Sequence, residues 1–99
     1  MPQSTLVVAT VDDDRRVRES VQSVLESAGY EAVTFESAET FLMSGALSTV
    51  SFVIADVRLP GIDGTELQRR IRRERRLLPV ILITAHDDDD VRRQAFRDG

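Results

Sequence analysis

A chain of 99 residues, 41% apolar and 30% charged with a formal net charge of −4, fits one small folded domain and excludes a disordered chain. The acidic balance gives no general basis for binding nucleic acid, and the absence of cysteine removes disulfides and thiolate metal sites. The apolar runs at 52–55 and 80–83 are too short to span a bilayer, and no basic-then-apolar leader opens the chain, so a cytoplasmic location is expected.

Leu6 to Val11 is a short β-branched run and predicts a buried strand. Asp12, Asp13 and Asp14 follow, with Asp14 placed to cap a helix. Val17, Val21, Val24, Leu25 and Ala28 repeat at helical spacing until Gly29 stops them. Ala32 to Phe35 predicts a second strand. Ser37 then opens a short helix with Phe41 and Leu42 on its apolar side and Met43 filling the core. Val50 to Ala55 predicts a third strand, closed by Asp56 and followed by the turn residues Arg58-Leu59-Pro60-Gly61.

Asp63 and Glu66 have capping-box spacing, and Leu67 and Ile71 mark the buried side of the helix they begin. The arginine-rich stretch from Arg69 to Arg76 on that helix reads as a solvated face rather than a nucleic-acid contact. Pro79 breaks the pattern, Val80 to Ile83 forms a fourth strand ended by Thr84, and Asp87 to Asp90 opens a last helix. Those four aspartates read as a cap and as charges favoured by the helix dipole. Strands alternating with helices imply an α/β fold, a doubly wound parallel sheet with right-handed crossovers.

In such sheets ligands bind beyond the C-terminal strand ends, where the strand order reverses. If the first and third strands are neighbours, their ends lie about 4.8 Å apart, and Asp12, Asp13 and Asp56 converge. Carboxylates that close repel unless a cation sits among them. Mg²⁺ suits the set, because it keeps several waters and needs only one or two carboxylates plus phosphate oxygens. An Asp oxygen can accept a phosphoryl group as an acyl phosphate, and the Thr84 hydroxyl can donate to a phosphoryl oxygen. His86 is the sole histidine, and with no Ser or Cys arranged beside it a nucleophilic triad is not indicated.

Three segments carry a family resemblance: Val11-Asp12-Asp13-Asp14, the stretch from Val53 through Asp56 and Pro60-Gly61 to Gly64, and Pro79 to His86. In this order and with these gaps they resemble the receiver domain of bacterial two-component response regulators, with a flavodoxin-like sheet. The wording from Tyr30 to Glu39 and from Asp56 to Gly61 is similar to the FixJ-like group, whose members carry a LuxR-type helix-turn-helix that binds promoters. The resemblance implies that Asp56 is phosphorylated by a partner histidine kinase. It also implies that Asp13 and Asp56 bind Mg²⁺ directly, Asp12 through water, and the Arg58 backbone carbonyl as a further ligand. Thr84 is then the switch hydroxyl, and Arg58 and His86 tune dephosphorylation.

The family also uses a lysine and a switch aromatic on a fifth strand, and this chain has no lysine. The expectation is therefore one receiver domain over residues 1–99, ending before the fifth strand and helix, with strand order 2-1-3-4. An outer fourth strand would invite self-association. Slow phosphorylation and no DNA binding by this stretch itself are expected. Two other readings compete. One is a stand-alone or degenerate receiver acting as an adapter. The other is an Asp-nucleophile phosphatase, which the residue two after Asp56 disfavours, since Arg58 stands where such enzymes place a second Asp.

Overall fold

A computed structural model describes residues 6–84. The predicted last helix, opened by Asp87 to Asp90, and His86 lie outside the described residues. The elements run β1 (Val7–Val11), α1 (Arg15–Ser27), β2 (Glu31–Phe35), α2 (Ala38–Met43), a 3-10 turn (Ala46–Ser48), β3 (Phe52–Asp56), α3 (Gly64–Glu74) and β4 (Val80–Ile83). The strands form one four-stranded parallel sheet in the order β2-β1-β3-β4, the expected doubly wound arrangement.

Strand alternation sorts the sheet into two faces. Ala9, Val11, Val53 and Ala55 enter one buried cluster with Phe41 of α2 and Leu67 and Ile71 of α3. Phe35 meets Phe41 edge-on at 5.3 Å between ring centres, tying β2 to α2. Val8, Thr10 and Asp12, on the alternate positions of the β1 segment, are buried as well.

Each α-helix among the described residues begins on a side-chain cap: Asp14 accepts from the Arg16 N–H, Ser37 from Thr40 and Asp63 from Glu66. At the end of α1, Gly29 (φ 94°) donates to Glu26 and Tyr30 to Leu25, the paired bonds of a Schellman motif.

Four local expectations need correction. Val24 is 67% exposed, so the buried stripe of α1 is narrower than its apolar repeat. Met43 is 87% exposed rather than core filling. At about 100° per residue it lies nearly opposite Phe41, which takes the core position. The third strand begins at Phe52, because the Thr49 N–H closes the 3-10 turn onto the Ala46 carbonyl and the Val50 N–H donates to the same carbonyl. Val50 is nevertheless buried, which is why its apolar character read as strand. Finally, Arg75 leaves the solvated arginine face and donates to the Leu47 and Val50 carbonyls at 3.0 and 2.7 Å.

Candidate functional site

β1 and β3 pair up to Val11 opposite Ala55, so Asp12 and Asp56 leave adjacent strands side by side. Asp12 is 1% exposed and Asp56 4%, whereas Asp13 is exposed. One carboxylate oxygen from each of the three lies within 4.8 Å of the others. The sheet order reverses here, with β1 pairing β2 on one side and β3 on the other.

Backbone donors orient two of the acids. Asp12 Oδ1 accepts the Asp14 N–H at 2.8 Å, and Asp56 Oδ1 accepts the Arg58 N–H at 3.0 Å. Asp12 Oδ2 is buried and has no hydrogen-bond partner among the described residues. Burial pushes the Asp12 carboxyl above its usual range; the Asp14 N–H opposes this, while the charges of Asp56, Asp13 and Asp14 add to it. A buried oxygen with no donor, flanked by two more carboxylates, fits a hard divalent cation.

β4 pairs Ile83 with Asp56, and the Val57 N–H donates to the Ile83 carbonyl at 2.8 Å. Thr84 follows directly, at the same end of the sheet as the acids, and is half-buried. The Arg58 side chain is exposed and its backbone belongs to the loop that leaves Asp56.

Three further residues shape the site in roles that the sequence did not assign to them. The Arg18 guanidinium donates to the Asp12 carbonyl at 2.7 Å, fixing α1 to the acidic turn. Gly64 packs against the Asp56 carbonyl and Val57 so closely that a Cβ there would overlap backbone. Glu39 of α2 accepts the Ile62 N–H at 2.9 Å. The last contact joins residues 23 apart, which no local spacing reveals. In the sequence the close approach at Gly64 shows only as a glycine directly after the Asp63 cap; the structure gives it no positive φ, so packing and not backbone conformation calls for glycine there.

The sequence profile of the response regulator receiver domain matches residues 8–99. Transcriptional regulatory protein FixJ of Bradyrhizobium diazoefficiens is 36% identical over 94 residues, which cover 93% of this chain and 45% of FixJ. The DNA-binding transcriptional regulator NtrC of Salmonella typhimurium is 37% identical over 93 residues, 94% of this chain and 20% of NtrC. The chain thus spans less than half the length of either relative. The crystal structure of response regulator TrrA from Thermotoga maritima, in complex with Mg²⁺-BeF, superposes with a TM-score of 0.78 at 32% identity, covering 84% of this chain and 72% of TrrA. Among the described residues no helix is long and apolar enough to cross a membrane. A profile match over nearly the whole chain, two relatives above 30% identity and the 2-1-3-4 sheet converge on one conclusion: the chain belongs to the response regulator receiver domain family, a signalling domain rather than a conventional enzyme.

Proposed function

We propose that Asp56 is the phosphoacceptor of this receiver, charged by a partner histidine kinase in the cytoplasm, and that the whole protein uses the signal to control DNA-bound transcription. The observation that carries this reading is the convergence of Asp12, Asp13 and Asp56 within 4.8 Å at the strand-order reversal, with one buried oxygen lacking a donor. The transcriptional output rests on the similarity to FixJ and NtrC.

In this mechanism an Asp56 carboxylate oxygen attacks phosphorus. A P–O bond forms as the donor's P–N bond breaks, and its electron pair leaves on the imidazole nitrogen. Water later cleaves the acyl phosphate, returning the carboxylate and inorganic phosphate. The Asp56–Arg58 hydrogen bond orients the nucleophile. Asp12, Asp13, Asp56 and the Arg58 carbonyl would hold Mg²⁺, whose chemistry here is to neutralise the negative charge that would otherwise repel a phosphoryl donor. The Thr84 hydroxyl donates to a phosphoryl oxygen, and Arg58 and His86 modulate water's access to it. With no lysine in the chain, phosphorylation of these 99 residues alone is slow.

Beryllofluoride, the group bound with Mg²⁺ in the TrrA structure, stands in for phosphoryl and tests the site. Mg²⁺-dependent binding, seen as a bound ¹⁹F signal, is expected for the native chain and lost in Asp56→Asn. A bound signal that survives this substitution, or needs no Mg²⁺, rejects the assignment.

Self-association is proposed on a separate observation. Ile81 is 48% exposed, and Phe52, Ile54 and Ile83 at the alternate positions that share its sheet face are only partly buried. Light scattering across a size-exclusion peak checks it, and a monomer at high micromolar concentration would refute it.

A further inference from the structure

We infer that Glu39 is a positioning residue of the phosphoacceptor site, holding the loop at 57–62 in the shape that presents the Arg58 carbonyl beside Asp56. This rests on the phosphoacceptor reading above and adds a residue from α2, an element that contributes nothing else to the acidic cluster.

The loop is fixed at both ends by local bonds. At its start Asp56 Oδ1 takes the Arg58 N–H, and at its finish the Gly64 N–H donates to the Val57 carbonyl at 3.0 Å. Leu59 anchors the middle by burial. The bend at Gly61 and Ile62 is built around Glu39. Ile62 donates its N–H to Glu39 Oε2, and Gly61, in the left-handed region at φ 74°, lies against the same carboxylate so closely that a Cβ would overlap it. A side chain at 61 would be strained by the backbone conformation and would push the Glu39 carboxylate out of its place.

This bond is charge-assisted, and the Ile62 N–H, ahead of the Arg70 charge, keeps the Glu39 carboxyl below its usual range. The carboxylate is thus in its accepting form at neutral pH. A backbone carbonyl serves as a metal ligand only if its peptide plane is aimed, and groups that orient such ligands from outside typically matter about tenfold or more in metal affinity. Glu39 acts on the metal through the loop, not by touching it.

A plain structural staple would predict lost stability alone, so the test separates reach, charge and shape. Glu39→Gln keeps an acceptor of the same length, Glu39→Met keeps the length without the acceptor, and Glu39→Asp keeps the charge but falls a methylene short. Mg²⁺ is titrated against amide NMR shifts, with exchange of the Ile62 N–H measured in the same samples. The expected result is faster Ile62 exchange and about tenfold weaker Mg²⁺ binding in the Met and Asp variants, with smaller changes of the same sign in the Gln variant, which keeps the reach and loses only the charge. Native Mg²⁺ affinity in Met and Asp despite faster Ile62 exchange would overturn the inference while leaving the acidic site intact. Native chain that binds no Mg²⁺, or that binds equally well as Asp13→Asn, would overturn the phosphoacceptor reading itself. Should Glu39→Met fail to fold, the Asp and Gln pair carries the same comparison.

Discussion

Asp12 is placed where its charge is a burden without a cation. It is buried, one oxygen lacks a donor, and Asp13 and Asp56 lie within 4.8 Å. Two charges at that separation repel by about 1 kcal/mol even at the dielectric constant of water, and by more in a partly buried site. Asn at position 12 would keep the oxygen that accepts the Asp14 N–H and lose the charge. Metal-free Asp12→Asn should therefore be more stable than native at pH 7, by about 1 kcal/mol. The pH dependence has a definite sign. Because the folded-state value is raised above 3.8, the folded chain binds the extra proton more tightly, and native stability falls as pH rises through the interval above 3.8. The advantage of Asp12→Asn should accordingly grow with pH across that interval and then level off. Thermal melts in chelator from acid to neutral pH measure it, and a gap that narrows with rising pH would show that burial and repulsion are not what Asp12 experiences.

At the scale of elements, α3 shows what sequence spacing can and cannot reveal. Asp63 and Glu66 stand at capping-box distance, and Asp63 does accept the Glu66 N–H at 2.9 Å. The Glu66 carboxylate, however, is engaged by Arg70 and Arg69 at 3.2 and 3.3 Å, the bonds that lower its pKa. Asp63→Ala should cost about 1 kcal/mol in urea denaturation, the usual worth of an N-cap. No measurable loss would mean that Gly64, packed on the Asp56 backbone, sets the start of α3 without help. The strands and the capped helix starts were legible because apolar runs, helical spacing and cap residues are local signals, whereas the strand order came only with the family resemblance. Val50 and Met43 misled for complementary reasons: an apolar residue buried in a turn mimics a strand, and one exposed on a six-residue helix mimics core. The three acids of the site were legible from the ends of β1 and β3. Glu39, Arg18 and the close packing of Gly64 were not, because each acts on backbone that the fold alone brings near.

For the whole molecule, the acidic site joins two strands that are distant in sequence, since β1 and β3 meet only through the crossovers of the doubly wound sheet. A cation held by Asp12 and Asp13 from one segment and Asp56 from the other requires that pairing, so binding is linked to global folding. The unfolded chain has no such convergence. Mg²⁺ at ten times its dissociation constant should then stabilise the fold by about 1.4 kcal/mol, which for a domain of this size raises the melting temperature by several degrees. The chain is acidic overall, so general screening by added salt would also favour the folded state, and NaCl at matched ionic strength is the necessary comparison. Asp63→Ala, which lowers stability away from the acids, should keep the full Mg²⁺ increment, and Asp13→Asn should lose most of it. An equal rise with NaCl, or an undiminished Mg²⁺ response in Asp13→Asn, would mean that the cation acts on the net charge of the molecule and not at the junction of β1 and β3.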